Sequence, residues 1–402
     1  MDQKNSTINN KLIYLLNILN AKNDEEMVND LAHFSVSDWK EFIYISNIHG
    51  VASILYKNLK KSNLINFLSK ENIDNLQNLY LRNAILNTKI YNELLKIIKI
   101  FQDNNIQVVL LKGVALAEPI YKDIALRPMS DMDLLVRKCD IWFVNDVLSK
   151  LGYESDIDRL LSKRHVQWAN NIHYFNNMLS LDIHHTIYML PGIDPWINIK
   201  STKIYNIDTF ILEPNAFFLH LSFHLNNHFR NDRWIRLIWW YDIAKLLSVY
   251  QKEFNWDYIL KTAKDYQFEK ELNIILLTIN DKLNVQIPDQ ILDQIKKINT
   301  KPLSINKLVY YNKVPMQPND RIIGLPTVEL SRIPNIHNKL YHIFRIVFPC
   351  KNYIKNVYLV NKSNLLYLYY IKHIVKTTAK FIKAILFLHK QRYSFSNLSN
   401  EI

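Results

Sequence analysis

Residues 126–138, LRPMSDMDLLVRK, place two aspartates one residue apart inside an apolar run. Met132, Leu134 and Val136 alternate with Asp131, Asp133 and Leu135, the period-two pattern of a half-buried strand. Two carboxylates on one strand face repel each other, and burying them unpaired costs several kcal/mol. Any fold for this chain must therefore bring something to neutralise them.

The surroundings of this strand are mainly helical in pattern. Up to about residue 100, stretches such as WKEFIYISNIHGVASILYKNLKK and NLYLRNAILNTKIYNELLKIIKIFQDNN carry apolar residues at steps of three and four. Asn104 and Asn105 close the second of these. The period then changes. IQVVLLKG is a β-branched and leucine run that predicts a buried strand stopped at Gly113. VALAEPIYKDIA follows as a short helix or turn, and Pro128 forces Arg127 into an extended shape before the aspartate strand. DIWFVNDVLSKLGY predicts a helix closed by Gly152, and NIHYFNNMLSLDIHHTIY two strands joined at Asn176–Asn177. In the second of these strands Ser180, Asp182 and His184 share one face, so a third carboxylate arrives on a polar strand surface. From about residue 210 the pattern is helical again, as in NAFFLHLSFHLNNH and RWIRLIWWYDIAKLLSVY. Only five glycines occur in 402 residues, which argues against Gly-rich phosphate loops and large β-barrels.

Three carboxylates on neighbouring strands suit oxygen-seeking cations. Side chains two apart on a strand lie roughly 6–7 Å apart, and paired cations in phosphoryl-transfer sites sit about 3.5–4 Å from each other. Mg2+ or Mn2+ would neutralise the aspartates while binding substrate phosphates, and the apolar alternates would hold the strand rigid.

With those residues in order, VVLLKGVALAEPIYKDIALRPMSDMDLLV followed by LDIHH resembles the nucleotidyltransferase superfamily of DNA polymerase β, and within it the bacterial branch of uncharacterised nucleotidyltransferases. The residues that carry the likeness are Lys112 and Gly113, Tyr121, Arg127 and Pro128, Asp131 and Asp133, and Asp182 with His184. It extends over roughly residues 40–250, through NIHGVASILYKNL and LHLSFHLNNH to RLIWWYDIA, with a looser echo in FRIVFPCKNYI.

The resemblance implies an α+β fold, a palm built on a small mixed sheet and flanked by helical regions. The expected organisation is an N-terminal helical region at 1–103, the palm core at 104–205, a helical region completing the pocket at 206–336, and a basic C-terminal helical region at 337–402. It implies transfer of an NMP group from an NTP to an unidentified acceptor, a small molecule, a peptide or another macromolecule, with release of pyrophosphate. Asp131, Asp133 and Asp182 would bind the metal ions and carry catalysis. Lys112, Gly113, Arg127 and Ser130 would bind the nucleotide. One departure stands out: the superfamily usually follows this glycine with Ser or Gly, whereas Gly113 is followed by Val114.

His220, His224 and His228 recur at four-residue steps on one predicted helix face. Zinc binding, pocket lining and core packing are all open to such a stripe. His184, His220 and His224, with Arg236 and Asp242 from the following helix, are the expected pocket lining. The tail YIKHIVKTTAKFIKAILFLHK sets Lys372, Lys376, Lys380 and Lys383 opposite Ile374, Val375, Ile382 and Leu386. An amphipathic packing helix, or docking on an anionic membrane or nucleic acid, fits that arrangement.

Lys and Arg total 50 against 37 Asp and Glu, a formal +13 that favours anionic partners. Cys139 and Cys350 are too few for a disulfide framework and fit a reducing, cytoplasmic compartment. MDQKNSTINNK lacks the apolar core of a secretion signal, and no apolar run is long enough to predict a membrane span. Two further readings stay open beside the enzyme: a non-catalytic nucleotide-binding or scaffold protein that retains the palm, and a basic adaptor acting through residues 337–402.

Overall fold

A computed structural model describes residues 2–22, 25–155, 171–176, 179–187, 194–231, 235–298, 300–308 and 366–379, with a few isolated positions between 336 and 354. The chain divides into two compact units, Met1–Val144 with Asn177–Lys313, and Asn145–Asn176 with Val314–Ile402.

The first unit opens with helices α1 (Asp2–Leu19), α2 (Glu25–Ala32), α3 (Val36–Ile48), α4 (Ala52–Lys61) and α5 (Lys70–Asp103). The boundaries have local causes. Ser35 caps α3, accepting from the Asp38 amide while Asp38 returns a bond to the Ser35 amide. Ser69 caps α5 through its side chain alone, accepting from the Asn72 amide, a contact worth about 1 kcal/mol. Helix α5 ends at Asn104, with Asn105 in the left-handed region at φ 56°.

The buried face of α5 runs through Leu76, Ile90, Leu94, Ile97, Ile98 and Phe101, as the sequence period predicts. Two polar residues interrupt it. Asn87 donates to the carbonyls of Ile124 and Arg127, the latter at 2.8 Å. Tyr91 donates to the Val114 carbonyl at 2.9 Å and accepts from the Glu118 amide at 3.1 Å. The irregular connection between the first two strands is thus fastened to α5. Truncating either residue would leave buried backbone groups unpaired, at about 1–3 kcal/mol.

Strand β1 (Val109–Leu111) leads directly into the short helix α6 (Lys112–Leu116), and β2 (Asp131–Leu135) carries the aspartates. Helix α7 (Ile141–Lys150) carries the chain into the second unit, which holds β3 (Glu154–Ser155) and β4 (Asn171–Phe175). Back in the first unit are β5 (Ser180–His184), β6 (Ile199–Ile204) and β7 (Ile207–Leu212). There the strands run in the order β5-β2-β1-β7-β6. Pairing is parallel for β2 with β5 and β1 with β7, antiparallel for β1 with β2 and β6 with β7. This is the small mixed sheet of an α+β fold. Helices α8 (Pro214–Asn231) and α9 (Leu237–Val249) follow, then helices at Trp256–Asp265, Glu269–Leu283 and Asp289–Lys296.

One expectation changes. The sequence predicts a strand with one exposed face, but Met132, Asp133, Leu134 and Leu135 are all buried. β2 lies between β1 and β5, and on its aspartate face Lys112 and His184 close over Asp133 while Asp131 stays half-buried.

In the second unit β3 and β4 pair antiparallel, with Ser155 opposite Tyr174 and both hydroxyls 3.2 Å from the Asn145 side-chain oxygen. Gly152 does close α7, at φ 82°. Strands form on both sides of the turn expected at Asn176–Asn177, but Asn177 lies outside the described residues. Residues 366–379 are helical, and the buried positions there include Leu366, His373 and Thr377, whereas Val375 is exposed. The apolar side expected through Ile374 and Val375 is therefore displaced by a stripe that keeps the His373–Thr377 pair inside, 3.3 Å apart. Lys380, Lys383, Ile382 and Leu386 lie outside the described residues. Among the described residues, no helix is long and apolar enough to cross a membrane.

Candidate metal centre and nucleotide site

The register of β2 against β5 builds the site. Asp131 lies opposite Ser180, Asp133 opposite Asp182 and Leu135 opposite His184. Because partners across a ladder share a sheet face, the polar alternates of both strands converge. The antiparallel register of β1 adds Leu111 opposite Asp133, which brings the next residue, Lys112, to the same edge. Lys112 has φ 44°. A left-handed conformation at a lysine costs about 1–2 kcal/mol, and it occurs where the chain leaves β1 and enters α6.

The aspartates are neutralised first by the protein. Lys112 Nζ lies 2.6 Å from Asp133 Oδ1, and His184 Nε2 lies 2.9 Å from the same oxygen. Asp133 is 4% exposed. Burial alone would push its carboxyl up, but the Lys112 ammonium and the His184 hydrogen bond overcome this and hold it well below the usual carboxylate range. Lys112 responds in kind: burial opposes its charge, while Asp133 and the neighbouring Asp182 and Asp131 raise it above the ordinary lysine value. Asp131, partly buried at the strand's start, moves the other way. Burial and then repulsion from Asp133 raise its carboxyl, and Ser130 Oγ donates to its Oδ1 at 3.3 Å.

Ligand atoms of Asp133, Asp182 and His184 all lie within 4.8 Å of one another. The other ring nitrogen of His184, Nδ1, is buried with no hydrogen-bond partner among the described residues. Two carboxylates and an imidazole fit a divalent cation. The converging set is thus Asp133, Asp182 and His184, where the sequence expectation was Asp131, Asp133 and Asp182. His184, two residues after Asp182 on one strand face and expected from the sequence as pocket lining, lies in this group.

Arg127 has a protein partner. Its Nη2 lies 2.9 Å from Asp242 Oδ2, and Tyr121 Oη donates to Asp242 Oδ1 at 2.7 Å. Against the cost of burial, Asp242 holds the Arg127 guanidinium firmly charged. The guanidinium also lies across Gly113: a β-carbon there would sit 2.5 Å from Arg127 Nη1 and 3.0 Å from Met129 Cγ. Gly113 therefore makes room for an arginine, and Val114 beside it is fully buried.

Arg236 stands just before α9 and lies against Gly50. The His stripe on α8 splits by depth. His220 is fully buried with both ring nitrogens unpartnered among the described residues, and burial, then Lys112, lower it to about 3. His224 lies 3.2 Å from His228, whose ring stacks on Trp239 at 4.0 Å. Among the described residues Asp133, Asp182 and His184 are the one group with metal-ligand spacing, so the zinc alternative for the stripe finds no support there.

The model of a family described as uncharacterised nucleotidyltransferase matches residues 35–284. That span contains the whole five-stranded sheet of the first unit, the converging carboxylates and the Arg127–Asp242 pair. No curated protein matches the chain.

Proposed function

The chain belongs to the uncharacterised nucleotidyltransferase family, a family of transferase enzymes, and from that premise we propose that it moves an NMP group from an NTP to an acceptor, releasing pyrophosphate. The observation that carries the reading is the pairing of Asp133 with Asp182 across two parallel strands, with His184 closing the group. An acceptor hydroxyl oxygen forms the new bond to the α-phosphorus, and the bond from that phosphorus to the pyrophosphate oxygen breaks. Asp133, Asp182 and His184 would hold the cation, with Asp131 at the rim for a second. When bound, Mg2+ or Mn2+ supplies charge neutralisation of the triphosphate and of the transition state. Asp182, half-buried, takes the proton from the acceptor hydroxyl. Lys112, paired with Asp133, would pass to a phosphate oxygen, and Ser130, beside Asp131, would offer a hydroxyl. Arg127 and Asp242 fix the connection that leads into β2. Catalysis on this plan is positioning and charge neutralisation in a site prepared in advance.

The test is incubation with labelled NTPs and Mg2+ or Mn2+, followed by mass analysis of whatever carries the label. Asp133→Asn is expected to lower the rate by at least about 10²-fold, with the fold intact by circular dichroism. Equal labelling by wild type and variant would remove the proposal.

A second reading rests on Lys112. Its contact with Asp133 and the buried Val114 suit a protein that binds nucleotide without turning it over. Nucleotide binding without pyrophosphate release, unchanged in Asp131→Asn, would favour it. The adaptor alternative rests on residues 337–402, most of which lie outside the described residues.

A further inference from the structure

Among the described residues, Arg127 and Arg236 both lie near the start of β2, and only the first has a counter-ion there. Arg127 is paired with Asp242. Arg236, partly buried, makes no hydrogen bond or ion pair among the described residues, and its Nε is fully buried without a partner. A guanidinium carries five N–H donors and does not deprotonate in proteins, so leaving it unsatisfied is costly.

The side chain is nevertheless held in place. The backbone amide of Ile238 donates to the His49 carbonyl at 3.1 Å, which ties the start of α9 to the turn between α3 and α4. In that turn Gly50 has φ 73°, and a β-carbon on it would stand 2.6 Å from Arg236 Nη2 and 3.1 Å from Ile238 Cγ2. The glycine thus satisfies a left-handed turn and clears a seat for the guanidinium head. His49, beside it, is no counter-ion: burial and then Arg236 hold it neutral, lowered to about 4. The groups acting on Arg236 are Arg127, which opposes its charge, and Asp242 and Asp131, which favour it. Asp242 is already hydrogen-bonded to Arg127 and Tyr121.

We infer that Arg236 is an oxyanion-binding residue of this site, positioned by Gly50 to receive a phosphate group of a substrate. The proposal rests on the nucleotidyltransferase reading for where the phosphate comes from, but not for whether one binds. Phosphate oxygens match the planar fork of a guanidinium through two parallel hydrogen bonds. Both the phosphate chain of the NTP and a phosphorylated acceptor offer that chemistry.

Binding is measured by calorimetry on the full chain without divalent metal, so the result does not depend on turnover. The probes are inorganic phosphate, tripolyphosphate and ATP, each with wild type, Arg236→Gln and Arg236→Lys. Loss of one or two charge-assisted hydrogen bonds predicts about 10- to 100-fold weaker binding in Arg236→Gln. Arg236→Lys should fall between, because it keeps the charge and loses the fork. Weakening of tripolyphosphate and ATP assigns the oxyanion to the nucleotide. Weakening of phosphate alone, with ATP unchanged, assigns it to the acceptor. A purely structural arginine would lose thermal stability on substitution. Arg236→Gln is expected to keep or raise its melting temperature in the absence of anion, since it removes an uncompensated buried charge. Unchanged affinity for all three probes, or a fallen melting temperature with unchanged affinity, would overturn the inference. Failure of the labelling experiment with these binding changes intact would sink the enzymatic reading alone.

Discussion

Gly113 with Arg127 and Gly50 with Arg236 are the same device used twice, with opposite electrostatic outcomes. In each, a glycine lacks the β-carbon that would meet a guanidinium, at 2.5 Å in the first and 2.6 Å in the second. Arg127 meets a buried carboxylate and a tyrosine hydroxyl already bound to it. Among the described residues Arg236 meets neither, and its buried Nε has no hydrogen-bond partner there. Close packing of an arginine therefore does not identify its role; its counter-ion does. A matched guanidinium is structural cement between the connection into β2 and helix α9. An unmatched one retains its charge for something the protein does not itself provide.

The largest effect that would sharpen this contrast is on stability. Asp242→Asn strands the Arg127 charge in a buried site and is expected to cost about 3–5 kcal/mol. Arg236→Gln should leave stability unchanged or raise it by up to ~1 kcal/mol. Urea unfolding of both variants measures the difference. Similar losses for the two would erase the distinction between a matched and an unmatched arginine.

How far this was legible in the sequence depends on the reach of each signal. The alternation of 131–136 and of 180–184 predicted that Asp131, Asp133 and Asp182 lie on strand faces, and β2 and β5 are strands. Parallel registry of the two strands, which brings Asp133 opposite Asp182, is a tertiary fact that alternation leaves open. The Lys112–Asp133 contact was hidden for another reason. It depends on a left-handed φ at Lys112, which no propensity favours for lysine. Asn87 and Tyr91 did leave a signal, as polar groups on the apolar face of a long helix, but what they bind is decided by the chain between β1 and β2. Gly113 stood out as the stop of the first strand run and as an expected nucleotide contact, Gly50 only as a member of a scarce class. Their shared purpose needs the arginines that arrive from elsewhere in the chain.

A middle-sized effect tests the uncharged neighbour of the unmatched arginine. His49 is lowered to about 4 in the folded protein, by burial and by Arg236, against about 6.5 in an unfolded chain. The folded state then binds fewer protons than the unfolded state in this range. Its contribution is fully present above about pH 6.5 and is lost as pH falls toward 4. At pH 5 that amounts to roughly 2 kcal/mol relative to pH 7.5. His220, lowered to about 3, adds a loss of the same sign. Unfolding measured at the two pH values should show a shallower loss in His49→Asn than in wild type. An equal loss would mean His49 is not held neutral beside Arg236.

The smallest effect is a coupling, and it asks directly whether the counter-ion makes the difference between the two glycine seats. Gly113→Ala adds a carbon in front of a guanidinium that Asp242 holds still, so the clash cannot relax freely. In an Asp242→Asn background the arginine is released and the added carbon should be tolerated better, giving a coupling of about 1 kcal/mol in a double-mutant cycle. Gly50→Ala differs in kind. Its φ of 73° makes any β-carbon unfavourable by about 1–2 kcal/mol wherever Arg236 goes, and Arg236, with no ion-pair partner among the described residues, can swing aside. Its cost should therefore stay within about 0.5 kcal/mol of the same value when Arg236 becomes Gln. A coupling at Gly50 as large as that at Gly113 would mean that Arg236 is held as tightly as Arg127. It would then have a protein partner of its own and no charge left over for a phosphate.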